Sequence, residues 1–228
     1  MSINRREALK TAALTTAALL APGLAPGLVR AAPGRSRALR VAHLTDIHIQ
    51  PELRAGQGAA AAFEHANTLA DKPDLIITGG DHVFDSFDQA EPRAKLLWDL
   101  WTSALRDSNR LPMLSCIGNH DCWGWNRKKS KLTGDEPLYG KNRVVDALSL
   151  PGRYYSTDRN GWHIVCLDSV KADGDGYIGK IDDEQFEWLA GDLAASKSPV
   201  MIVSHIPIFS VAAMQFGGKD DRTKNEVD

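Results

Sequence analysis

Polar side chains that follow apolar runs in this sequence could together bind divalent metal ions. In chain order they are Asp46, His48, Asp81, Asn119 and His205. Carboxylate, imidazole and amide oxygen suit cations such as Zn, Mn or Fe. A carboxylate can bridge two such ions, and two ions about 3.5–4 Å apart can activate a bridging water for in-line attack on phosphorus. The pattern predicts a site for two divalent metal ions with hydrolytic chemistry.

Each of these residues alone has an ordinary structural explanation. An Asp after a strand is often a helix N-cap or a turn residue, and a lone histidine such as His205 is more often structural than a ligand. Gly118-Asn119-His120-Asp121 is more specific, because it places an amide ligand beside an imidazole acid. The ordered occurrence of all these residues, each after an apolar run, favours the metal site over coincidence.

Strands and helices that alternate along the chain must position these side chains. Buried strands are predicted at 39–44, 74–78, 112–117 and 200–203. Helices are predicted at 58–69, 90–106 and 181–195. The alternation indicates an α/β fold, in which ligands bind beyond the carboxyl ends of the strands.

Two further predictions concern the middle of the chain. The segments 154–157 and 162–167 suit paired strands, because Asn160-Gly161 between them favours a hairpin turn. The polar segment 122–140 is predicted to be a loop.

The first 32 residues are predicted to be an export signal rather than part of the fold. Arg5 and Arg6 precede a short apolar run at 11–21, which is too short for a span of ~20 apolar residues. The paired arginines resemble a twin-arginine signal. That implies the twin-arginine export machinery as a partner, a periplasmic or secreted location, and no stable membrane anchor after removal of the signal. The alternative is an amphipathic N-terminal helix that stays attached.

The composition and net charge indicate an ordinary globular domain and argue against binding to nucleic acid. The chain has 228 residues, 43% of them hydrophobic and 25% charged, as expected for one soluble globular domain. The net charge is −2, and residues 1–32 contain four basic residues and one acidic residue, so the remainder has a net charge of −5. Nucleic-acid binding through phosphate neutralisation is therefore not favoured.

From about Arg40 to about Ile208 the chain resembles the calcineurin-like metallophosphoesterase family. The motif residues named above carry the resemblance, together with Leu167-Asp168-Ser169 and Gly179. The resemblance implies a four-layer sandwich of two facing mixed β-sheets flanked by helices, in a domain spanning residues 33–228.

The same resemblance implies a role for each residue. Asp46 and His48 would bind the first metal ion, and Asp81 would bridge both ions. Asn119 and His205 would bind the second ion. His120 would contact the phosphate and protonate the leaving oxygen.

The sequence departs from the family pattern after the bridging residue. The family often has an Asp three positions later that orients the catalytic histidine, but here that position is Phe84. Asp85 or Asp121 is therefore the expected orienting residue. Phe84 also argues against the iron–tyrosinate centre of purple acid phosphatases, and Ser86-Phe87 argues against the protein Ser/Thr phosphatase branch.

The largest departure is late in the sequence. The family closes its site with Gly-His-x-His, and no histidine follows His205. The fold is therefore expected to be incomplete at its C-terminus, or else the site is completed by water or by another chain.

Other residues near the motifs have two interpretations each. His82 could reach the phosphate or cap the turn, and Trp123 could form a wall of the substrate pocket or pack in the core. Cys116 and Cys166 are interpreted as small core residues. The sequence Asp173-Gly174-Asp175-Gly176 is interpreted as a solvated turn.

The leading functional hypothesis is an exported hydrolase in which a metal-bridging hydroxide attacks a small phosphorylated substrate. The alternative is a truncated, non-catalytic fragment that binds metal weakly or not at all. A metal-dependent nuclease is disfavoured by the net charge of −5. The sequence does not choose among monoester, diester and pyrophosphate substrates.

Overall fold

The computed structural model describes residues 38–208. The strands are β1 (Val41–Leu44), β2 (Leu75–Thr78), β3 (Met113–Ser115), β4 (Tyr155–Arg159), β5 (Trp162–Cys166), β6 (Val170–Asp173), β7 (Gly176–Gly179) and β8 (Val200–Val203). The α-helices are α1 (Ala55–Thr68), α2 (Glu91–Ser108), α3 (Arg127–Ser130), α4 (Lys141–Ala147) and α5 (Asp183–Ala195). No helix within these residues is long and apolar enough to cross a membrane.

The first sheet is parallel and has the strand order β1-β2-β3. The central strand β2 is buried along its whole length, as expected for a parallel strand covered on both faces. Because the three strands run in the same direction, their carboxyl ends meet at one edge of the sheet. Backbone hydrogen bonds continue past the strands there, from Asp46 N to Gly80 O and from His48 N to Asp81 O.

The second sheet is mixed and has the order β4-β5-β8. β4 and β5 are antiparallel, and both residues of the turn between them have positive φ, 49° at Asn160 and 79° at Gly161. Such a turn matches the twist of its strands, which confirms the predicted hairpin. β8 lies parallel to β5 on the other side, and the hairpin β6–β7 forms a separate two-stranded sheet.

A single large core cluster joins the first sheet to its helices. The buried face of α1 carries Ala59, Phe63 and Ala66, and Phe63 contacts Trp101 of α2 edge to face. Leu97 and Trp101 of α2 lie at helical spacing, and both side chains are fully buried. The packing holds both helices against the sheet whose edge carries the candidate ligands.

The predicted α/β fold of several sheets with flanking helices is confirmed. The first sheet is wholly parallel within residues 38–208, and only the second is mixed. The segment predicted as a loop at 122–140 contains the short helix α3. The sequence analysis missed α4, β6 and β7, although the turn predicted at 173–176 does lie between β6 and β7. The export signal at 1–32 lies outside the described residues.

Candidate metal centre

Three candidate ligands have a strained backbone. Asp46, His48 and Asp81 all adopt positive φ, at 54°, 49° and 52°. Non-glycine residues rarely take up this left-handed conformation, and it concentrates at functional sites. The strain turns these three side chains out of the sheet, beyond the carboxyl ends of β1 and β2.

The loops after β2 and β3 approach each other closely. A Cβ atom at Gly118 would lie 2.1 Å from both the backbone nitrogen and Oδ1 of Asp81, so no side chain fits there. The glycine of the Gly118-Asn119 step therefore allows the two loops to pack backbone to backbone. This contact brings Asn119 and His120 up to the Asp81 carboxylate.

Asp81 lies at the centre of the candidate site and is only 3% exposed. Its Oδ2 lies 3.5 Å from Nε2 of His48, and its Oδ1 lies 3.4 Å from Nε2 of His205. The backbone N–H of His120 donates a hydrogen bond to Oδ1 at 2.9 Å. One carboxylate thus faces residues from three other segments of the chain.

Two groups of side chains have the geometry to hold a metal ion. One group is His48, Asp81 and His120, and the other is Asp46, Asp81 and His205, with the ligand atoms in each within 4.8 Å of one another. Asp81 belongs to both groups. The sequence analysis did not count His120 among the ligands, whereas the structure places it in one of these two groups.

The surroundings of His205 fit a cation. Its Nδ1 lies 2.8 Å from the carbonyl oxygen of Gly79, and its Nε2 lies 2.9 Å from Oδ1 of Asn119. All of these partners, together with the Asp81 carboxylate, are hydrogen-bond acceptors. A neutral imidazole has one N–H, so its second nitrogen would direct a lone pair at other lone pairs. A second proton on the ring, or a metal cation between Nε2 and the two oxygens, removes this conflict.

The surroundings of His48 resemble those of His205. Its Nδ1 lies 3.1 Å from the carbonyl oxygen of Phe84, and its Nε2 faces the carboxylates of Asp46 at 3.9 Å and Asp81 at 3.5 Å. Metal-binding histidines commonly donate their other N–H to a backbone carbonyl, which fixes the ring orientation. The main-chain oxygen of Phe84 therefore fixes His48, and it does not replace the side chain that was expected to orient His120.

The electrostatics of Asp81 also favour a bound cation. Burial raises the pKa of its carboxyl, the charge of His205 partly offsets this, and the nearby Asp121 carboxylate raises the pKa further. A buried carboxylate is costly unless a positive charge compensates it. The residues present therefore fit one or more divalent metal ions.

His120 lies beside this centre and is accessible to solvent. Its side chain is 38% exposed, and its ring centre lies 4.8 Å from that of His48. Nδ1 is buried and has no hydrogen-bond partner among the described residues. The nearest carboxylate oxygen, Oδ1 of Asp85, is 3.9 Å away, beyond hydrogen-bond distance.

Asp121 does not orient His120, contrary to one of the two expectations. Its carboxylate is fully buried and accepts backbone N–H groups of Gly118, Asp81 and His82 at 2.9, 3.0 and 2.8 Å. Burial alone would raise its pKa, but the charge and hydrogen bond of His82 and these N–H groups lower it. Asp121 instead joins the two loops that carry Asp81 and Asn119.

His82 is not available to the phosphate either. Its side chain is fully buried, with Nδ1 2.9 Å from Asp121 Oδ2 and Nε2 2.7 Å from Thr78 Oγ1. Both ring nitrogens are therefore occupied inside the protein. The Thr78 hydroxyl continues this buried network to Ser115 at 2.7 Å.

Trp123 packs in the core rather than forming a wall of the site. It is 2% exposed, and its Nε1 donates to the carbonyl oxygen of Gln89 at 3.0 Å. The guanidinium of Arg143 stacks on its ring at 4.0 Å. The core interpretation, which the sequence left open, is the one that the structure supports.

A pocket of about 130 Å³ adjoins His120. The residues that line it are Asp85, Phe87, Asp88, Asn119, His120 and Tyr177. Tyr177 comes from β7 and was missed in the sequence, because that strand was not predicted. Ser169 was named in the sequence only as part of the family resemblance, and its hydroxyl accepts the backbone N–H of Ile206 at 2.8 Å, which fixes the segment that carries His205.

A family model described as calcineurin-like phosphoesterase matches residues 39–228. No curated protein matches the chain. The matched range includes every candidate ligand described above.

Proposed function

The chain belongs to the calcineurin-like phosphoesterase family, and from this premise we propose that it is an exported hydrolase of small phosphate esters that uses two divalent metal ions. When bound, the ions would supply Lewis-acid stabilisation of the charge that develops on the phosphoryl oxygens. The export step depends on the N-terminal Arg5-Arg6 pair.

The observation that carries the proposal is the position of Asp81 between two imidazoles. His48 and His205 each direct Nε2 at this carboxylate while their Nδ1 atoms face backbone carbonyls. Acceptors around both histidines call for positive charge on each side of Asp81. This supports two ions that share one carboxylate, with Asp46 and Asn119 as further ligands.

His120 is the proposed proton donor to the leaving oxygen. It borders both Asp81 and the pocket that contains Tyr177, so an ester bound with its phosphate at the metal site would place its organic group beside this imidazole. Asp85 is the proposed positioning residue, because it is the carboxylate nearest to Nδ1 of His120. A bridging water, or a small rotation of either side chain, would connect Asp85 to His120 by hydrogen bonds.

Hydrolysis of an aryl phosphate by the full chain, loaded with Zn or Mn, tests the proposal. His120→Asn should lower turnover by about 10²–10⁴-fold, the usual contribution of general acid catalysis. The effect should be smaller for esters with very good leaving groups, which leave without a proton. His65→Asn, on the exposed surface of α1, is the matched control and should retain full turnover.

Metal content separates the two roles open to His120. As a proton donor it can be replaced without loss of metal per chain. Because His120 also belongs to one of the two metal-binding groups, loss of metal in His120→Asn would make it a ligand and reject the proton-donor role. No hydrolysis by the metal-loaded parent protein would reject the proposed function itself.

A further inference from the structure

Two buried cysteines from different sheets meet beneath the metal centre. Cys116 directly follows β3, Cys166 ends β5, and each is 1% exposed. Sγ of Cys116 lies 3.2 Å from the carbonyl oxygen of Val203, and Val203 is the register partner of Cys166 on β8. The thiol of Cys116 therefore reaches across the gap between the sheets to the strand pair that carries Cys166.

Tyr155 gives a further contact between the two sheets beside these cysteines. Tyr155, the register partner of Cys166 on β4, places its hydroxyl 2.9 Å from the backbone nitrogen and 3.1 Å from the carbonyl oxygen of Ser115. The neighbouring Cys166 raises the pKa of the Cys116 thiol, and the neighbouring Cys116 lowers the pKa of the Cys166 thiol. The thiolate is the reactive form of cysteine, and the lower pKa makes Cys166 the thiol of the two that loses its proton more readily.

The proposed hydrolysis uses neither thiol. Cys122 is the remaining cysteine of the chain, and it offers an internal comparison. It is also fully buried, but its Sγ contacts the carbonyl oxygen of Gly118, and burial, together with nearby carboxylates, raises the pKa of its thiol. Cys116 and Cys166 thus form a pair from which Cys122 is separate.

We propose that Cys116 and Cys166 are a redox-active pair that a small-molecule disulfide oxidant converts to an intrachain disulfide. The Cys166 thiolate attacks one sulfur of the oxidant, which gives a mixed disulfide and releases one thiolate. The Cys116 thiol then loses its proton and attacks the Cys166 sulfur, which releases the second thiolate. The protein loses two electrons and two protons, and the oxidant becomes two thiols.

The disulfide would connect the two sheets close to the candidate ligands. Asn119 lies three residues after Cys116, and His205 lies two residues after Val203. The bond would close a loop of about 50 residues, and a long closed loop restricts the unfolded chain strongly. Oxidation should therefore stabilise the fold around the site. It should also be slow, because both thiols are buried and react only when the sheets open locally.

Counting thiols in the full chain tests the inference. The protein is incubated for increasing times with excess oxidised glutathione in mild urea, denatured without reductant and alkylated. We expect the alkylated thiols to fall from three to one, the remaining one to be Cys122, and a peptide that joins Cys116 to Cys166. The melting temperature of the oxidised chain should rise by about 5 °C or more.

Matched variants make the result specific. Cys122→Ser should still lose both remaining thiols, whereas Cys166→Ser should lose none through an intrachain bond. Three alkylated thiols after the longest incubation, a bond that includes Cys122, or stable glutathione adducts without an intrachain bond would each overturn the inference. None of these measurements requires phosphoesterase activity, so they are independent of the proposed function.

Discussion

At the scale of single residues, Asp85 and His120 lie close together without a hydrogen bond between them. The Asp85 side chain is 15% exposed, and its two oxygens accept the backbone N–H of Asp88 at 3.2 Å and the Gln89 amide at 2.9 Å. These bonds hold the carboxylate in place without satisfying Nδ1 of His120. A carboxylate fixed near a catalytic imidazole can set its orientation and tautomer.

Replacing Asp85 by Asn therefore has a specific expected effect. Asp85→Asn should lower kcat by about 10–100-fold, the usual cost of losing a partner of this kind, with little change in KM or metal content. Asp88→Asn removes a neighbouring carboxylate of the same pocket and is the control. Equal losses of kcat in both variants would mean that Asp85 only shapes the pocket.

The ligand residues could be predicted from sequence, whereas their buried neighbours could not. Asp46, His48 and Asp81 were recognisable because each follows an apolar strand, and the position of a strand end depends on local sequence. The roles of Asp121 and His82 depend on backbone N–H groups and a hydroxyl from other segments, which no local pattern contains. Because Asp121 and His82 are adjacent to motif residues in the sequence, direct roles at the site were expected for them. In the structure their side chains instead form buried hydrogen bonds within the protein.

At the scale of elements, the site depends on two loops that leave β2 and β3 side by side. Asp121 is the link between them, because its buried carboxylate accepts N–H groups from both loops. Hydrogen bonds to a buried charged group contribute about 1.5–3 kcal/mol each, and breaking a buried pair costs about 3–5 kcal/mol. The link is thus structural and lies directly behind the Asp81 carboxylate.

Asp121→Asn should therefore lower the stability of the fold, and it should affect the catalytic reaction only indirectly. We expect the free energy of unfolding to fall by about 2–5 kcal/mol in urea titrations, since an amide nitrogen cannot accept the N–H groups that the carboxylate now accepts. Metal affinity should fall with it, because the loops that present the ligands loosen. Asp85→Asn should lower the free energy of unfolding less, because Asp85 accepts only two hydrogen bonds and is partly exposed, and it serves as the comparison. Unaltered stability in Asp121→Asn would show that the two loops are held by other contacts.

Which elements were predictable depends on how they are stabilised. The strands of the first sheet and the helices α1, α2 and α5 have apolar patterns, and all were found to within a few residues. The helix α4 has seven residues, too short for a clear period, and it begins after Gly140, whose φ is 64°. In β6 only Val170 is buried, so the strand has no alternating pattern, and only the Gly174 turn gave a signal.

At the scale of the whole molecule, His163 joins the second sheet to α5. Its Nδ1 lies 2.9 Å from Oδ1 of Asp158 on β4, and its Nε2 lies 2.8 Å from Oδ2 of Asp192 on α5. The Ser156 hydroxyl also donates to Asp192 at 2.8 Å. The sequence analysis could place His163 within a strand, but the helix that supplies Asp192 lies 29 residues further along the chain.

The ion pairs of His163 should make the stability of the protein depend on pH. The hydrogen bond to Asp192 raises the pKa of His163, and the bond to Asp158 raises it further. A histidine whose pKa is higher in the folded state binds its proton more tightly there than in the unfolded chain. Its contribution is therefore complete below the unfolded pKa of about 6.5 and is lost as the pH rises through the folded value.

The measurement is the melting temperature of the parent protein and His163→Gln at fixed metal concentration between pH 5.5 and 9. The difference between them should be largest at the acidic end and should shrink as the pH rises, because Gln has no charge to lose. His65→Gln, exposed on α1, should give the same curve as the parent. A difference that stays constant across this range would show that His163 contributes by packing alone. A difference that grows with pH would mean that burial lowers its pKa, the opposite of what its two carboxylate partners require.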